Sequence, residues 1–346
     1  MIRSKAATTP AAASVPPPIC QALRSARRVG LVGHVTPDAD CVAAIAALWL
    51  ALPELAATPV AVLPAHTLPR RLRFLIRSAG LSHQTDGDLC TCDLVVVLDT
   101  AKERRVNLPA GQTLPTGVPV INIDHHASNP AFGQLNWIAP GASSTCELVY
   151  ELLRALGCQI TPTIATLLYA GLHSDTRGFS LSNTTPQSLR IAHELAACGA
   201  RIAEVCEKLH RSQSREEFEL LKLIYANTRL TADGRLAWST ASYDEIRRVG
   251  CDAAAIDDQV EIPRSIEGIL VAILFTEGEP GVVRLNFRGE QGVSVLELAQ
   301  QFGGGGHHSS AGARIKGKLE EAVAQVLPAA QEYVARLKPA ENAARP

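Results

Sequence analysis

Apolar positions along this chain fall into two rhythms. Short, nearly unbroken runs read as buried strands: Val29-Gly30-Leu31-Val32-Gly33-His34, then Pro59 to Leu63, then Leu94-Val95-Val96-Val97-Leu98, then Val118 to Ile123. Between them lie segments with helical spacing. Thr36-Pro37-Asp38 breaks the first strand, and Asp38 to Leu52 predicts a helix that is apolar on most faces, as expected for one packed on a sheet. Leu68 to Ala79 predicts an amphipathic helix carrying Arg70, Arg71, Arg73 and Arg77 on a solvated face. Ser144-Thr145-Cys146-Glu147 has capping-box spacing and starts a helix to Leu156. Further helices are expected from about Pro162 to Leu172 and from Pro186, with a short one from Ile19 to Arg27. Strands that alternate with helices, themselves almost continuously apolar, predict a parallel α/β sheet.

The pattern then changes. From about Arg201 to Asn227 the chain reads as charged helix, a connector. Leu230 to Ser242 predicts a hairpin around Asp233-Gly234. Two strands, Ile266 to Phe275 and Val282 to Phe287, are followed by a helix from Ser294 to Gln301, the run Gly303-Gly304-Gly305-Gly306-His307-His308, a strand from Ala313 and a last helix to about Leu337. The expected division is a tail over 1–18, an α/β domain over 19–200, the connector over 201–227, a smaller α/β domain over 228–338 and a tail over 339–346.

Bulk properties bound the function. The chain has 346 residues, long enough for two cores. Its formal net charge is -1, from 33 basic and 34 acidic residues, and aromatics are 4%. Neither an electrostatic grip on long duplex nor a long stacking platform is expected. Nine cysteines are scattered without a Cys-x-x-Cys pair, which favours a reducing compartment over a disulfide framework. The longest apolar run, Cys41 to Leu52, falls short of the ~20 residues that span a bilayer. The N-terminus lacks the apolar core of a signal peptide. These features predict a cytoplasmic protein that does not enter a membrane.

The chemistry collects at strand ends. The first strand leads to His34, Asp38 and Asp40, the Leu94 strand to Asp99, the Val118 strand to Asp124, His125 and His126, and a later helix end to Asp175. In open parallel sheets, ligands gather at the carboxyl ends of strands. Taken singly, each residue has a plain structural reading: Asp38 as a helix N-cap, Asp99 as a turn former, the histidines as surface residues, Asp175-Thr176-Arg177-Gly178 as a helix stop. Together, six of them (His34, Asp38, Asp40, Asp99, His125 and Asp175) make a ligand set for two divalent cations. Carboxylates bridge cations, imidazole favours transition metals over magnesium, and such a pair can clamp a phosphoryl group for in-line attack.

These motifs resemble the DHH/DHHA1 phosphoesterase family. Gly33-His34-Val35-Thr36-Pro37-Asp38-Ala39-Asp40 is similar to its first motif, Val97-Leu98-Asp99-Thr100 to its second and Ile123-Asp124-His125-His126 to its third. Ser174-Asp175-Thr176-Arg177-Gly178-Phe179, continued by Ser182-Asn183-Thr184-Thr185-Pro186, is similar to the fourth. Phe287-Arg288 and Gly303 to Gly312 resemble substrate-binding motifs of the DHHA1 domain. The likeness runs from about residue 20 to 335. Within the family it is nearest to small cytoplasmic bifunctional enzymes that degrade very short RNA oligonucleotides and dephosphorylate 3′-phosphoadenosine 5′-phosphate.

The resemblance implies a parallel-sheet DHH domain with helices on both faces, a helical connector and a smaller α/β DHHA1 domain. It implies one metal held by His34, Asp38 and Asp99, and a second by Asp40, Asp99, His125 and Asp175, with Asp99 bridging. Manganese is the expected ion, with magnesium and cobalt as alternatives. Asp124 would orient a histidine, and His126 would contact the phosphate or assist the leaving group. Arg288, Gly304, Gly305, Gly306 and His307 would grip the substrate, the glycines as an anion nest. The partner is a short oligonucleotide or nucleotide, and a homodimer is compatible with this reading. Four positions depart from the usual pattern: Ala39 stands for a glycine, Cys41 for a small residue, Arg177 for another glycine, and His308 for a basic residue. Rival readings are hydrolysis of cyclic dinucleotides, pyrophosphate or polyphosphate, and a non-catalytic nucleotide-binding regulator.

Overall fold

A computed structural model describes residues 14–64, 68–81, 87–109, 112–211, 214–250, 256–290 and 292–337. The tail expected over 1–18 lies outside them up to residue 13, and that over 339–346 entirely. The chain forms two compact units, Met1–Ser212 and Gln213–Pro346. The boundary falls within the stretch read as a connector.

The first unit is built on five strands: β1 (Arg28–Val32), β2 (Thr58–Val62), β3 (Leu94–Leu98), β4 (Val120–Asp124) and β5 (Leu135–Ile138). They are all parallel, in the order β2-β1-β3-β4-β5. The strand order reverses between β1 and β3, and parallel sheets open a crevice at the strand carboxyl ends at such a switch point. β3 and β4 are buried at every position, which is why they read as unbroken apolar runs.

Seven helices cover one face: α1 (Pro17–Ser25), α2 (Ala39–Ala51), α3 (Arg73–Ser78), α4 (Thr145–Leu156), α5 (Pro162–Asp175), α6 (Pro186–Ala197) and α7 (Ile202–His210). All of them place side chains in one large core with Leu31, Val96 and Ile123 of the sheet. α2 is buried almost all round, and Asp38 starts it by accepting from the Asp40 and Cys41 amides. The opposite sheet face has a thinner cover: Val32, Val95, Val97 and Val120 pack against Leu89, Val106 and Phe132 from loops and single 3-10 turns. The arginine-bearing helix expected from Leu68 is shorter than its pattern suggests, a 3-10 turn at Arg70–Leu72 running into α3.

The second unit runs α8 (Arg215–Asn227), β6 (Arg229–Leu230), β7 (Leu236–Ala241), α9 (Tyr243–Val249), α10 (Glu261–Arg264), β8 (Val271–Glu279), β9 (Val282–Gly289), α11 (Leu296–Gln300), β10 (Gly305–Gly306), β11 (Ser310–Lys316) and α12 (Leu319–Arg336). The sheet order is β10-β11-β9-β8-β7-β6, antiparallel except for the β7–β8 pair. β8 is buried on both faces. Val271, Ile273 and Phe275 meet α11 and α12, while Ala272 and Leu274 meet α8, α9 and α10. β9 instead alternates: Val283, Leu285 and Phe287 are buried, and Arg284, Asn286 and Arg288 are half-buried on the other face. Among the described residues, no helix is long and apolar enough to cross a membrane.

Candidate active site

The carboxyl ends of β1, β3 and β4 and the end of α5 bring the predicted ligands together. His34 follows β1 and its Nε2 lies 3.6 Å from Asp99 Oδ2. His125 follows β4, with Nε2 at 3.2 Å from Asp175 Oδ2 and 3.6 Å from Asp99 Oδ1. Three sets of donor atoms lie within 4.8 Å of one another: His34, Cys41 and Asp99; Asp99, His125 and His126; Asp40, His125 and Asp175. Asp99 and His125 each belong to two sets. Asp99 therefore stands at the centre, and it does so in a left-handed backbone conformation (φ 54°) that non-glycine residues seldom adopt.

Asp38 is close enough to feel this charge, but it is outside the three tight sets. Its carboxylate is engaged as the cap of α2, accepting from Asp40 N at 3.0 Å and Cys41 N at 3.1 Å. Cys41 stands in its place beside His34 and Asp99. Asp40 has a second task that its sequence position does not announce. Its buried carboxylate accepts from the first amides of α4, Thr145 N at 2.6 Å and Cys146 N at 2.9 Å, so the positive end of that helix faces it.

Asp124 is fully buried and never reaches the cluster as a ligand. His126 Nδ1–H donates to its Oδ1 at 2.7 Å, the His125 amide donates to the same oxygen at 2.9 Å, and Asn129 Nδ2 donates to Oδ2 at 2.6 Å. Asn129 also donates to Asn122 Oδ1 at 2.8 Å and to the Thr100 carbonyl at 3.2 Å. Thr145 Oγ1–H donates to Asp99 Oδ1 at 3.0 Å. Sequence reading missed Asn122, Asn129 and Thr145. Thr145 carried a signal only as part of a helix start, and Asn129 only as a polar residue in a loop.

The electrostatics of the cluster are those of a site short of positive charge. Burial, then Asp99 and Asp175, raise the Asp38 carboxyl to about 7. More than a third of the Asp38 residue surface is open to solvent, so the like-charge crowding is the firmer part of that shift. Burial, Asp175 and Asp99 push Asp40 well above the carboxylate range. Burial also raises Asp175. For Asp99, burial works upward, but the His34 hydrogen bond and the charges of His125, His34 and His126 outweigh it and hold the carboxyl below its ordinary value. Burial works to lower His125, and the Asp175 hydrogen bond with the surrounding carboxylates overrides it, to about 10. The Asp124 hydrogen bond raises His126, whose side chain is 46% exposed.

This donor set fits divalent cations. Three carboxyls raised by burial and mutual repulsion around Asp99, imidazoles drawn in among them and a buried His34 Nδ1 with no hydrogen-bond partner are the features a bound cation would satisfy. Space is tight as well: a Cβ at Gly171 would come 2.6 Å from Asp40 Oδ1 and closer still to Cys146 Sγ. Arg177, at a usual glycine position of the fourth motif, adopts φ 46°, a conformation natural to the residue it replaces.

In the second unit a cavity of about 400 Å³ is lined by Arg284, Leu285, Asn286, residues 303–305 and residues 312–314. Gly304 and Gly305 are among the expected substrate residues, while Arg288, Gly306 and His307 are not at its wall. Arg288 Nε lies 3.7 Å from Glu261 Oε1, and its Nη1 donates to the Phe287 carbonyl at 3.1 Å. The amides of Gly303 and Gly304 donate to the carbonyls of Gln300 and Ala299, so they close the α11 end instead of forming a nest. Glycine is required at 304 for close approach: a Cβ there would stand 2.6 Å from Ala313 Cβ and 2.9 Å from Ala299 O. Arg284, Asn286 and Arg314 are wall residues that the motif reading did not name.

Comparison with known proteins agrees with this arrangement. Residues 28–172 match the DHH family, N-terminal domain, and residues 241–336 match the DHHA1 domain. A Thermus thermophilus protein named bifunctional oligoribonuclease and PAP phosphatase NrnA is 34% identical over 308 residues, covering 88% of this chain and 89% of its own. The Bacillus subtilis protein of the same name is 31% identical over 235 residues, 67% of this chain and 73% of that one. A crystal structure of an exopolyphosphatase-related protein from Bacteroides fragilis shares the fold, with a TM-score of 0.84 at 22% identity over 92% of this chain and 96% of that one. With its acidic centre at the ends of a β2-β1-β3-β4-β5 sheet and a second α/β unit behind it in sequence, the chain belongs to the DHH family and carries both a DHH N-terminal domain and a DHHA1 domain.

Proposed function

We propose that this protein is a metal-dependent phosphoesterase that hydrolyses short oligonucleotides to mononucleotides and converts 3′-phosphoadenosine 5′-phosphate to AMP. The observation that carries the reading is the sharing of Asp99 and His125 between neighbouring donor sets, beside a half-exposed histidine held from behind by Asp124. Likeness over 88% of the chain to a relative named for both activities supports the substrate class. His34, Asp38 and Asp99 would hold one cation, and Asp40, Asp99, His125 and Asp175 the other, with the Cys41 thiol alongside the first. We propose manganese, which the carboxylate oxygens suit and which accepts the imidazoles more readily than magnesium does. When bound, the pair supplies Lewis acidity toward a phosphoryl oxygen and an acidified water.

The rest is done by the chain. Thr145 fixes the Asp99 carboxylate, and the α4 amides fix that of Asp40. Asp124 takes the Nδ1 proton of His126 as a hydrogen bond, which leaves Nε2 as the ring atom that meets the substrate. The same bond raises the His126 pKa and favours the protonated form, able to donate to a phosphoryl or leaving oxygen. In the second unit, Arg288, His307 and the cavity walled by Arg284, Asn286 and Arg314 are our candidates for substrate binding. The described cysteines are all free, which supports a cytoplasmic location.

A manganese-supplemented hydrolysis panel tests the reading. It spans dinucleotides, longer oligonucleotides, 3′-phosphoadenosine 5′-phosphate, cyclic dinucleotides and pyrophosphate. Turnover of the first and third with little of the last two is expected. Intact dinucleotide and intact bisphosphate would refute the substrate class, and full activity in Asp99→Asn would refute the site.

A further inference from the structure

The segment Ser182-Asn183-Thr184-Thr185-Pro186 continues the fourth motif, yet it supplies no donor atom to the acidic centre. Within it, Asn183 bridges two helix ends. Its Nδ2 donates to the Ser143 carbonyl and to the Asp175 carbonyl, both at 3.1 Å. In return, Ser143 Oγ–H donates to the Asn183 carbonyl at 2.6 Å. Ser143 is fully buried, and its own amide donates to Glu147 Oε2 at 3.1 Å. Asn183 is thus clasped, by side chain and main chain together, to the residue that precedes the Ser144 N-cap of α4.

Each end of the clasp carries part of the acidic centre. At the end of α5, the last carbonyls have no partner inside the helix. The amides of Thr176, Gly178 and Arg177 take those of Leu172, His173 and Ser174, and Asn183 takes the one that remains, on Asp175 itself. On the other side, the first turn of α4 holds Asp40 through the Thr145 and Cys146 amides, and Asp99 through the Thr145 hydroxyl. Asn183 therefore joins the backbone that carries Asp175 to the backbone that orients Asp40 and Asp99. Both of its Nδ2 hydrogens go to carbonyls, so the amide has one usable orientation: a flip would set Oδ1 against two carbonyl oxygens. Oδ1 has no hydrogen-bond partner among the described residues, so those two carbonyls alone set its direction.

We propose that Asn183 is a positioning residue for the second cation: by tying Ser143 to Asp175, it sets the spacing of Asp175 from Asp40 and Asp99. The proposal rests on the metal-dependent reading above, though not on the substrate assignment. Asn183 belongs to none of the donor sets and acts through the backbone of its partners. A cation gripped from two helix ends is held only as tightly as those ends are held to each other, because ordering left to be done on binding weakens it. Without the amide, the end of α5 is free to shift against α4. The set His34, Asp38 and Asp99 hangs instead on β1, α2 and β3, away from the clasp. The two cations therefore respond unequally to its loss.

The test uses the full chain and reads manganese binding, by isothermal titration and by the paramagnetic resonance of a coupled manganese pair, instead of turnover. Wild type is expected to take up two manganese ions. Asn183→Ala is expected to keep the tighter one and to bind the other about 10–100-fold more weakly, the range typical of a lost supporting partner. Asn183→Asp keeps the shape but aims an oxygen at both carbonyls, and is expected to be worse than alanine. Ser143→Ala removes only the hydroxyl bond to the Asn183 carbonyl and gives a milder loss at the same cation, which keeps the test open if the Asn183 variants do not fold. Thr166→Val is the stability control. It removes a buried hydroxyl bonded to Pro162 O and Arg201 N, toward the other end of α5, and both affinities are expected to stay as in wild type. Two manganese ions in wild type with unchanged affinities in folded Asn183→Ala and Ser143→Ala overturn this proposal and leave the metal reading standing. Thr166→Val weakened at the second ion as much as Asn183→Ala overturns it too, by making the effect one of stability alone. A wild type that binds no manganese overturns the metal reading, and this proposal with it.

Discussion

Replacing Asn129 with alanine separates the hydrogen-bond scaffold of the site from its proposed metal ligands. Asn129 belongs to none of the three donor sets, yet its amide holds Asp124 Oδ2 at 2.6 Å and Asn122 Oδ1 at 2.8 Å. Truncation leaves a fully buried carboxylate oxygen and a fully buried amide oxygen without that donor. Leaving a charged acceptor unmet costs about 1.5–3 kcal/mol and a neutral one about 1 kcal/mol or more. Because the two bonds share one NH2 group, a combined loss of about 2–4 kcal/mol is expected. At about 2–4 °C per kcal/mol for a unit of this size, the melting temperature should fall by roughly 4–16 °C.

The same substitution loosens Asp124, and with it the orientation of His126. Partners of this supporting kind typically cost ~10–100-fold in metal affinity or activity when removed. The assay pairs thermal denaturation with steady-state hydrolysis of a dinucleotide in saturating manganese. A fall in kcat with KM little changed is expected, since the ligands remain. Asn129→Asp should be worse than Asn129→Ala, because it sets a second carboxylate against Asp124. A melting temperature within about 1 °C of wild type, together with full kcat, would show that Asp124 is held by something else and that the reasoning from buried acceptors fails.

Gly171→Ala should destabilise by about 1–3 kcal/mol through overpacking and weaken manganese binding, because the added methyl presses on Asp40 and Cys146. Isothermal titration and urea melts check this, and Cys146→Ala in the same chain should restore part of the loss. Metal-free protein should lose stability as pH rises. A carboxyl raised by folding, such as Asp38 at about 7, favours the unfolded chain above the ordinary carboxylate range, and His125, raised to about 10, contributes stability that fades toward that value. Urea melts in chelator at pH 5.5 and 8 should therefore show the lower midpoint at pH 8, with the gap narrowed by manganese; a gap unchanged by manganese would count against the charge-crowding account. Arg284→Ala and Arg314→Ala should each raise KM several-fold with kcat within about twofold, the pattern of lost ground-state binding. Unchanged KM in both would remove the second-unit cavity from the substrate path.

How much of this was legible in the sequence depended on burial. β3 and β4 are buried at every residue, so their apolar runs announced them. The buried helix α2 was legible for the same reason. β5 went unread because its four residues, Leu135-Asn136-Trp137-Ile138, have only one buried member and no clean period. α9 also went unread, although Ser242 and Glu245 form a capping box and Gly250 ends it in the left-handed conformation. Its signal was local chemistry, not hydrophobic rhythm. The charged stretch 201–227 carried enough polar residues to look like a free connector. Yet Val205 of α7 lies in the first core, and Leu220 and Ile224 of α8 lie in the second.

The acids and histidines of the site were legible because chemistry restricts which side chains can hold a cation. What joins them was not, because hydrogen-bond scaffolding can be made by almost any polar residue at the right place. Asp40 illustrates the limit. Its type and spacing mark it as a ligand, while its bonds to the first amides of α4 also make it a helix-end anchor across 105 residues of sequence. The two roles reinforce each other. A carboxylate pinned by two amides has its remaining lone pairs fixed in direction before any cation arrives, so little ordering is left to be done on binding. The same logic applies to Asp99, held by the Thr145 hydroxyl in a left-handed backbone conformation that costs about 1–2 kcal/mol. An unfavourable backbone at a residue shared between donor sets is retained only where the surrounding fold over-determines it. Here β3, β4 and the first turn of α4 do so together: Asp99 N donates to Ile123 O at 3.0 Å, and Thr145 secures the carboxylate from the other side. Asp99 is therefore the residue at which backbone strain, buried charge and the proposed metal chemistry converge, and the one least replaceable by a neighbour of similar shape.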